Sequence, residues 1–204
     1  MQNRMRLWLI SAGALFAAAV GLGFSGSASA TVCEAIAGNL VTNCGFETGS
    51  FSGWTTTPAA QGSIFGVDGF PNSGAFAAFF EAVTPPFADT ISQNIPTVVG
   101  QNYTISFFLE NLGGSPNHFV ASFGGSTLLS VTDLAAFPYE QITQNVVASG
   151  SATTLSFSAY QVPSSFRLDD ISVVSRAIPE PSSIALLGSA LFALGAIRRR
   201  RRNL

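Results

Sequence analysis

The side chains able to do chemistry are few in this chain, and their spacing matches no catalytic motif. His118 is the sole histidine. It lies between Asn117 and Phe119 with no nucleophile motif beside it, so it reads as a surface or capping residue rather than a general base. Glu81, Glu110 and Glu140 are glycosidase carboxylates by residue type alone, and the sequence gives no spacing between them to support that role. Sugar recognition asks for aromatic platforms with amide or acid partners. Tyr103, Tyr139 and Tyr160 are the candidate exposed rings, with Asn111, Asn117, Gln141 and Gln161 as hydrogen-bonding partners. The two cysteines, Cys33 and Cys44, lie close together. In an oxidising compartment such a pair reads as a disulfide, with metal ligation as the alternative, although no Cys/His cluster accompanies them.

The two ends of the chain speak to that compartment. Arg4 and Arg6 precede an uncharged apolar stretch at residues 7–24, and Ala28, Ser29 and Ala30 form a small-residue cleavage pattern. This is the order of a secretory signal peptide at residues 1–30, predicting a mature chain that begins at Thr31. An uncleaved anchor is the alternative, disfavoured by the helix-breaking Gly and Ser residues just before the cleavage pattern. At the other end Pro179, Glu180 and Pro181 precede an apolar run at 182–197, which is followed by Arg198, Arg199, Arg200, Arg201 and Arg202. A helix over that run is about 24 Å long, short of the ~30 Å hydrocarbon core, and snorkelling arginines make up the difference. The positive-inside bias keeps those arginines cytoplasmic and everything before the run outside.

This order of Pro-Glu-Pro, apolar run and arginine cluster at residues 176–204 resembles the PEP-CTERM sorting signal. The resemblance implies a membrane-embedded exosortase as partner, transient residence in the cytoplasmic membrane, and delivery to the cell surface or extracellular matrix. A permanent single-pass anchor is the alternative, but ordinary anchors lack the Pro-Glu-Pro.

Between Thr31 and Ser175 the only base is Arg167, and the whole chain has no lysine. Ten acids in that span leave a net charge of about −9 on one domain. Nucleic-acid binding needs a basic footprint and is excluded, and a bare polyanion is disfavoured for the same reason. A neutral polysaccharide, a divalent cation or another protein remains. Fifteen of the eighteen phenylalanines fall between Phe46 and Phe166, so the core is expected to be built from their rings.

The elements that must position these residues are strands. From Tyr103 to Glu110 the chain alternates with period two, and stretches at 39–46, 75–80, 90–95, 119–123, 127–131, 141–148, 153–160 and 166–174 have the same character. Gly-, Asn- and Ser-rich turns separate them. The pattern predicts an all-β sandwich over residues 31–175, with helices only in the signal segment and in a C-terminal transmembrane segment.

Two stretches, NLVTNCGFETGSFSGW (39–54) and FRLDDISVV (166–174), resemble the first and last strands of galactose-binding-domain-like jelly rolls, a group that includes many carbohydrate-binding modules. The resemblance implies a jelly-roll β-sandwich. It also implies a structural calcium held by Glu47 and Asp169, completed by carbonyls near residues 73–75, and a buried role for Trp54. Asp170, which faces the opposite way on a regular strand, is the alternative ligand; the metal-free alternative makes Glu47 a turn residue bonded to backbone amides and leaves Asp169 solvated. Together these readings predict a non-catalytic glycan-binding or matrix-associated module. A purely structural surface protein is the rival, and a polysaccharide-active enzyme comes third.

Overall fold

The computed structural model describes residues 33–176. The signal segment with Ala28, Ala30 and Thr31 lies outside the described residues. So does the tail with Pro179, Glu180, Pro181 and Arg198–Arg202, including the helices expected there. Among the described residues no helix is long and apolar enough to cross a membrane.

Ten strands form two antiparallel five-stranded sheets. The first sheet holds, in spatial order, β1 (Thr55–Thr57), β4 (Asp89–Pro96), β9 (Ala152–Gln161), β6 (Asn117–Phe123) and β7 (Ser126–Thr132). The second holds β2 (Phe65–Asp68), β3 (Ala77–Phe80), β10 (Phe166–Ser175), β5 (Asn102–Asn111) and β8 (Phe137–Val147). Neighbours within each sheet are mostly distant in sequence, the mark of a sandwich with long crossovers rather than of consecutive hairpins.

The core forms because the inward positions of both sheets are apolar at period two. On β5, Tyr103, Ile105, Phe107 and Leu109 are buried, and on β9 so are Leu155, Phe157 and Ala159. Six phenylalanines, Phe46, Phe80, Phe107, Phe119, Phe157 and Phe166, are fully buried. The rings meet across the two sheets: Phe107 on β5 packs edge-on against Phe157 on β9 with centroids 5.1 Å apart. Phe119 on β6 lies 5.4 Å from Phe166 on β10. Such pairs add roughly 0.5–1.5 kcal/mol beyond the area they bury.

The opening segment differs from expectation. Residues 39–46, read as a first strand, make one β-bridge, Asn39 to Val174, and then turn at 42–45. Asn43 and Phe46 adopt positive φ angles of 50° and 59°, which a strand does not tolerate. The segment is held by backbone bonds to β10: Leu40 N–H donates to Val173 O, and Ile171 N–H to Cys44 O. Trp54 is buried as expected, packed on Phe46 and Phe157, with its indole N–H donated to the Asn43 carbonyl.

Candidate functional site

The chemistry-bearing residues fall into two groups on the second sheet. The first surrounds the start of the described chain. Cys33 and Cys44 are joined by a disulfide bond, and both are buried against β10. Beside them the last strand breaks its register between Asp169 and Ser172, and Asp170 takes a positive φ of 49°. This bulge turns both aspartates toward the loop at residues 72–76. Asp169 Oδ2 accepts the backbone N–H groups of Asn72 (2.8 Å) and Ser73 (3.1 Å), and its Oδ1 accepts the N–H of Asp170 (2.7 Å). Asp170 accepts the Ser73 hydroxyl, the Asn72 side-chain amide and the Cys33 N–H. Glu47 reaches the same loop and accepts the N–H groups of Ala75 and Phe76. Gly74 sits there at a φ of 71°, in the left-handed region that favours glycine, and a Cβ would crowd the Glu47 carboxylate.

Glu47 and Asp169 therefore converge on one loop, but as acceptors of amide hydrogens. A calcium site needs six to eight oxygens aimed at one point. Here Asp169 Oδ2 and Glu47 Oε1 each already take two N–H donors, which uses both lone pairs of each of these oxygens. Among the described residues, the group of three His, Cys or acid ligand atoms within 4.8 Å of one another is Cys33, Glu34 and Cys44, whose sulfurs are bonded together. The residues as arranged do not fit calcium. They fit a latch that ties the loop at 72–76 and the disulfide-stapled start of the domain to the last strand. Burial pushes the Asp169 carboxyl up to about 7, with a contribution from the adjacent Asp170 charge, against the opposing pull of the amide donors.

The second group lies on the outer face of the same sheet. Arg167 on β10 donates from Nε to Asp68 Oδ2 (3.0 Å) and from a terminal nitrogen to Glu110 Oε2 (3.2 Å). Asp68 comes from β2 and Glu110 from β5, so one base ties three strands together. The Phe70 ring stacks on the guanidinium with 4.5 Å to its centroid, and Phe70 is still 64% exposed. The Tyr139 hydroxyl, from β8, donates to the Phe70 carbonyl and holds that turn in place. Burial raises the Tyr139 phenol, reinforced by the charges of Asp169 and Glu110. For Arg167, burial opposes the charge, and the bonds to Asp68 and Glu110 outweigh it to keep the guanidinium firmly protonated. Further along the face, Ser106 and Ser172 share a hydrogen bond of 2.8 Å, and exposed Gln141 stands on β8 opposite Phe108.

The three candidate tyrosines do not share a platform. Tyr103 is in the core rather than exposed, because it occupies an inward position of β5, and its hydroxyl accepts the Val98 N–H. Tyr139 is on the outer face of the second sheet. Tyr160 lies on the first sheet, 5.7 Å from the His118 ring. Asn111, Asn117 and Gln161 are buried and bind the loops at 112–116 and 133–135, with Asn117 and Asn111 both donating to the Leu134 carbonyl. Glu140 faces an apolar cavity of about 410 Å³ lined by Leu109, Leu129 and Ile142 between β7 and β8, whereas Glu110 points to the outer face. Those two glutamates therefore stand on opposite sides of the sheet and form no catalytic pair. Phe70 is the ring the sequence reading missed. Its signal was its place in the Gly-rich turn stretch at 66–74, where an aromatic has no strand position to bury it.

Residues 177–202 match the PEP-CTERM protein-sorting motif. The chain carries a PEP-CTERM sorting signal. A signal of this kind indicates an exported protein. Comparison with curated proteins finds no match. Among solved structures, the enzymatically active domain of tailspike protein 4 from bacteriophage CBA120 matches with a TM-score of 0.56 at 11% identity. That match covers 68% of this chain and 22% of the tailspike chain, so this chain spans less than a quarter of it. The carbohydrate-binding module TmCBM61, solved in complex with β-1,4-galactotriose, matches with a TM-score of 0.51 at 20% identity, over 68% of this chain and 99% of that one. A xylan-binding domain from CBM 22 gives 0.51 at 14% identity, over 70% and 99%. At these identities the likeness is one of fold. The described domain is a two-sheet β-sandwich with the fold of these carbohydrate-binding modules.

Proposed function

We propose that the domain is a non-catalytic module that binds a neutral glycan on the outer face of the β2-β3-β10-β5-β8 sheet. The observation that carries this reading is the Asp68–Arg167–Glu110 row with Phe70 stacked on it. Phe70 offers an apolar ring to the C–H face of a sugar. Its other face is held by Arg167, so the ring is ordered before any ligand arrives, which lowers the entropy cost of binding. Asp68 and Glu110 accept hydroxyl hydrogens, and Gln141 both donates and accepts. The domain's acid excess favours a neutral sugar over an anionic one.

In this reading the leader is removed before Thr31, and the tail holds the precursor in the cytoplasmic membrane. An exosortase then acts at the Pro179-Glu180-Pro181 segment, and the product reaches the surface or the extracellular matrix, where a polysaccharide is at hand.

A glycan array probed with the exported chain tests the proposal, with Phe70→Ala as the paired variant. Retention on neutral oligosaccharides, weakened about tenfold (~1.4 kcal/mol) by Phe70→Ala, is the expected result. A folded protein that retains no sugar moves the reading to a structural envelope protein. Hydrolysis of a polysaccharide, lost on Glu110→Gln, would make it an enzyme.

A further inference from the structure

One end of the sandwich differs in character from the rest of the domain. The turn at 97–101, the turn at 124–125, the loop at 148–151 and the last described residue all meet there. Thr97 N–H donates to Ser151 O, Gly100 N–H to Ala148 O, Gly124 N–H to Thr154 O and Arg176 N–H to Asn102 O. Three of the four most exposed large apolar side chains of the domain stand at this end: Val98 (65%), Val99 (66%) and Val147 (60%). The two valines occupy the tip of a turn that is firmly held, since the buried Tyr103 hydroxyl accepts the Val98 N–H. They are therefore presented rather than left over from a floppy loop.

The charge pattern is as one-sided as the apolar one. In a domain with ten acids, residues 96–102, 123–126, 147–152 and 175–176 contain no Asp or Glu, and their one charge is Arg176. Around the apolar tip the exposed groups are neutral hydroxyls and amides. Other acids serve distant loops: Asp89 holds the segment at 59–64, and Asp133 holds Ser115 and Asn117.

This is also the end from which the chain departs. The Arg176 carbonyl accepts a bond from the Gln101 side chain, so the exit is tied directly to the valine turn. Five residues, Ala177 to Pro181, separate Arg176 from the apolar run at 182–197. Fully extended, that connection spans only about 20 Å.

We propose that this end is a membrane-docking surface. In the tail-anchored precursor the Val98–Val99 turn and Val147 seat in the headgroup region of the bilayer, with Arg176 toward anionic lipid and the acids directed away. The inference rests on the reading that residues 182–197 insert in the membrane. Short tethering makes the encounter nearly intramolecular, so a small apolar tip suffices where a free protein would need a larger one.

The precursor, exported in a host without an exosortase and reconstituted in phosphatidylethanolamine–phosphatidylglycerol vesicles with brominated acyl chains, tests this. Flotation reports the anchor. Emission added by Val99→Trp over the parent chain reports docking, and Leu112→Trp, at an exposed loop beyond the other end of β5, is the reference. Docking predicts floating vesicles and quenching of Val99→Trp at least about twofold greater than of Leu112→Trp, with Val98→Asp in the same chain removing the difference but not the flotation. Floating protein with equal quenching at both positions overturns the docking and leaves the anchor standing. Protein that does not float overturns the anchor, and the docking falls with it.

Discussion

Asp169 and Asp170, adjacent on the last strand, both take hydrogen bonds from Asn72 and Ser73. In a regular strand two neighbours face opposite sides. The register break between Asp169 and Ser172, with Asp170 in the left-handed region, turns them to one side and lets a pair of buried acids close one loop.

The pH dependence of stability follows from that burial. The Asp169 carboxyl sits at about 7 in the folded domain, above its unfolded value near ~3.9. The native state then holds more protons than the unfolded chain between those values, so stability falls as pH rises through the window, by at most about 1.4 kcal/mol per pH unit. Urea melts from pH 4 to pH 8 should show the decline, and Asp169→Asn should flatten it.

Calcium addition and chelation should leave the melting temperature unchanged, because the oxygens of Glu47 and Asp169 are engaged by amide N–H groups. A rise of several degrees with calcium, absent in Asp169→Ala, would show that the loop at 72–76 rearranges to release them.

The Cys33–Cys44 bond closes a short loop, with a sequence separation of 11. In the chain-entropy model a loop of this size contributes about 3 kcal/mol. Replacing both cysteines with serine should lower the melting temperature by about 6–12 °C by calorimetry. A loss below one degree would mean that the acid latch alone holds this segment.

Arg167→Ala leaves Asp68 and Glu110 facing each other with no counter-charge and removes the support beneath Phe70. A destabilisation of about 1–3 kcal/mol is expected. Arg167→Lys should recover only part of it, since an ammonium cannot fork between two carboxylates. Sugar retention should fall in both variants, more than stability alone accounts for at temperatures well below the melt.

Replacing Pro179, Glu180 and Pro181 with alanine should leave the full-length protein in the cytoplasmic membrane. Mass spectrometry of the mature species reads this directly. A wild-type product that still ends at Leu204 would make the segment a permanent anchor.

What was legible in the sequence was local or compositional. The sorting tail is a linear order of parts, the strand at 103–110 announces itself by period two, and the two cysteines have only each other. Each needs no knowledge of what lies across the sheet. The site residues needed that knowledge. Tyr103 was misplaced because inward and outward positions look alike until the opposing sheet assigns them. The segment at 39–46 has strand composition, yet its backbone bonds to β10 alternate with positive-φ turns that no periodicity reveals. Asp169 and Asp170 share a side only because β10 slips its register against β5. The Asp68–Arg167–Glu110 row joins residues as far as 99 positions apart, and only strand order brings them within bonding distance. Alternation along a chain is set by the geometry of each residue, but register, bulges and neighbours are set by the partner strand, and the partner is chosen only when the two sheets close on their core.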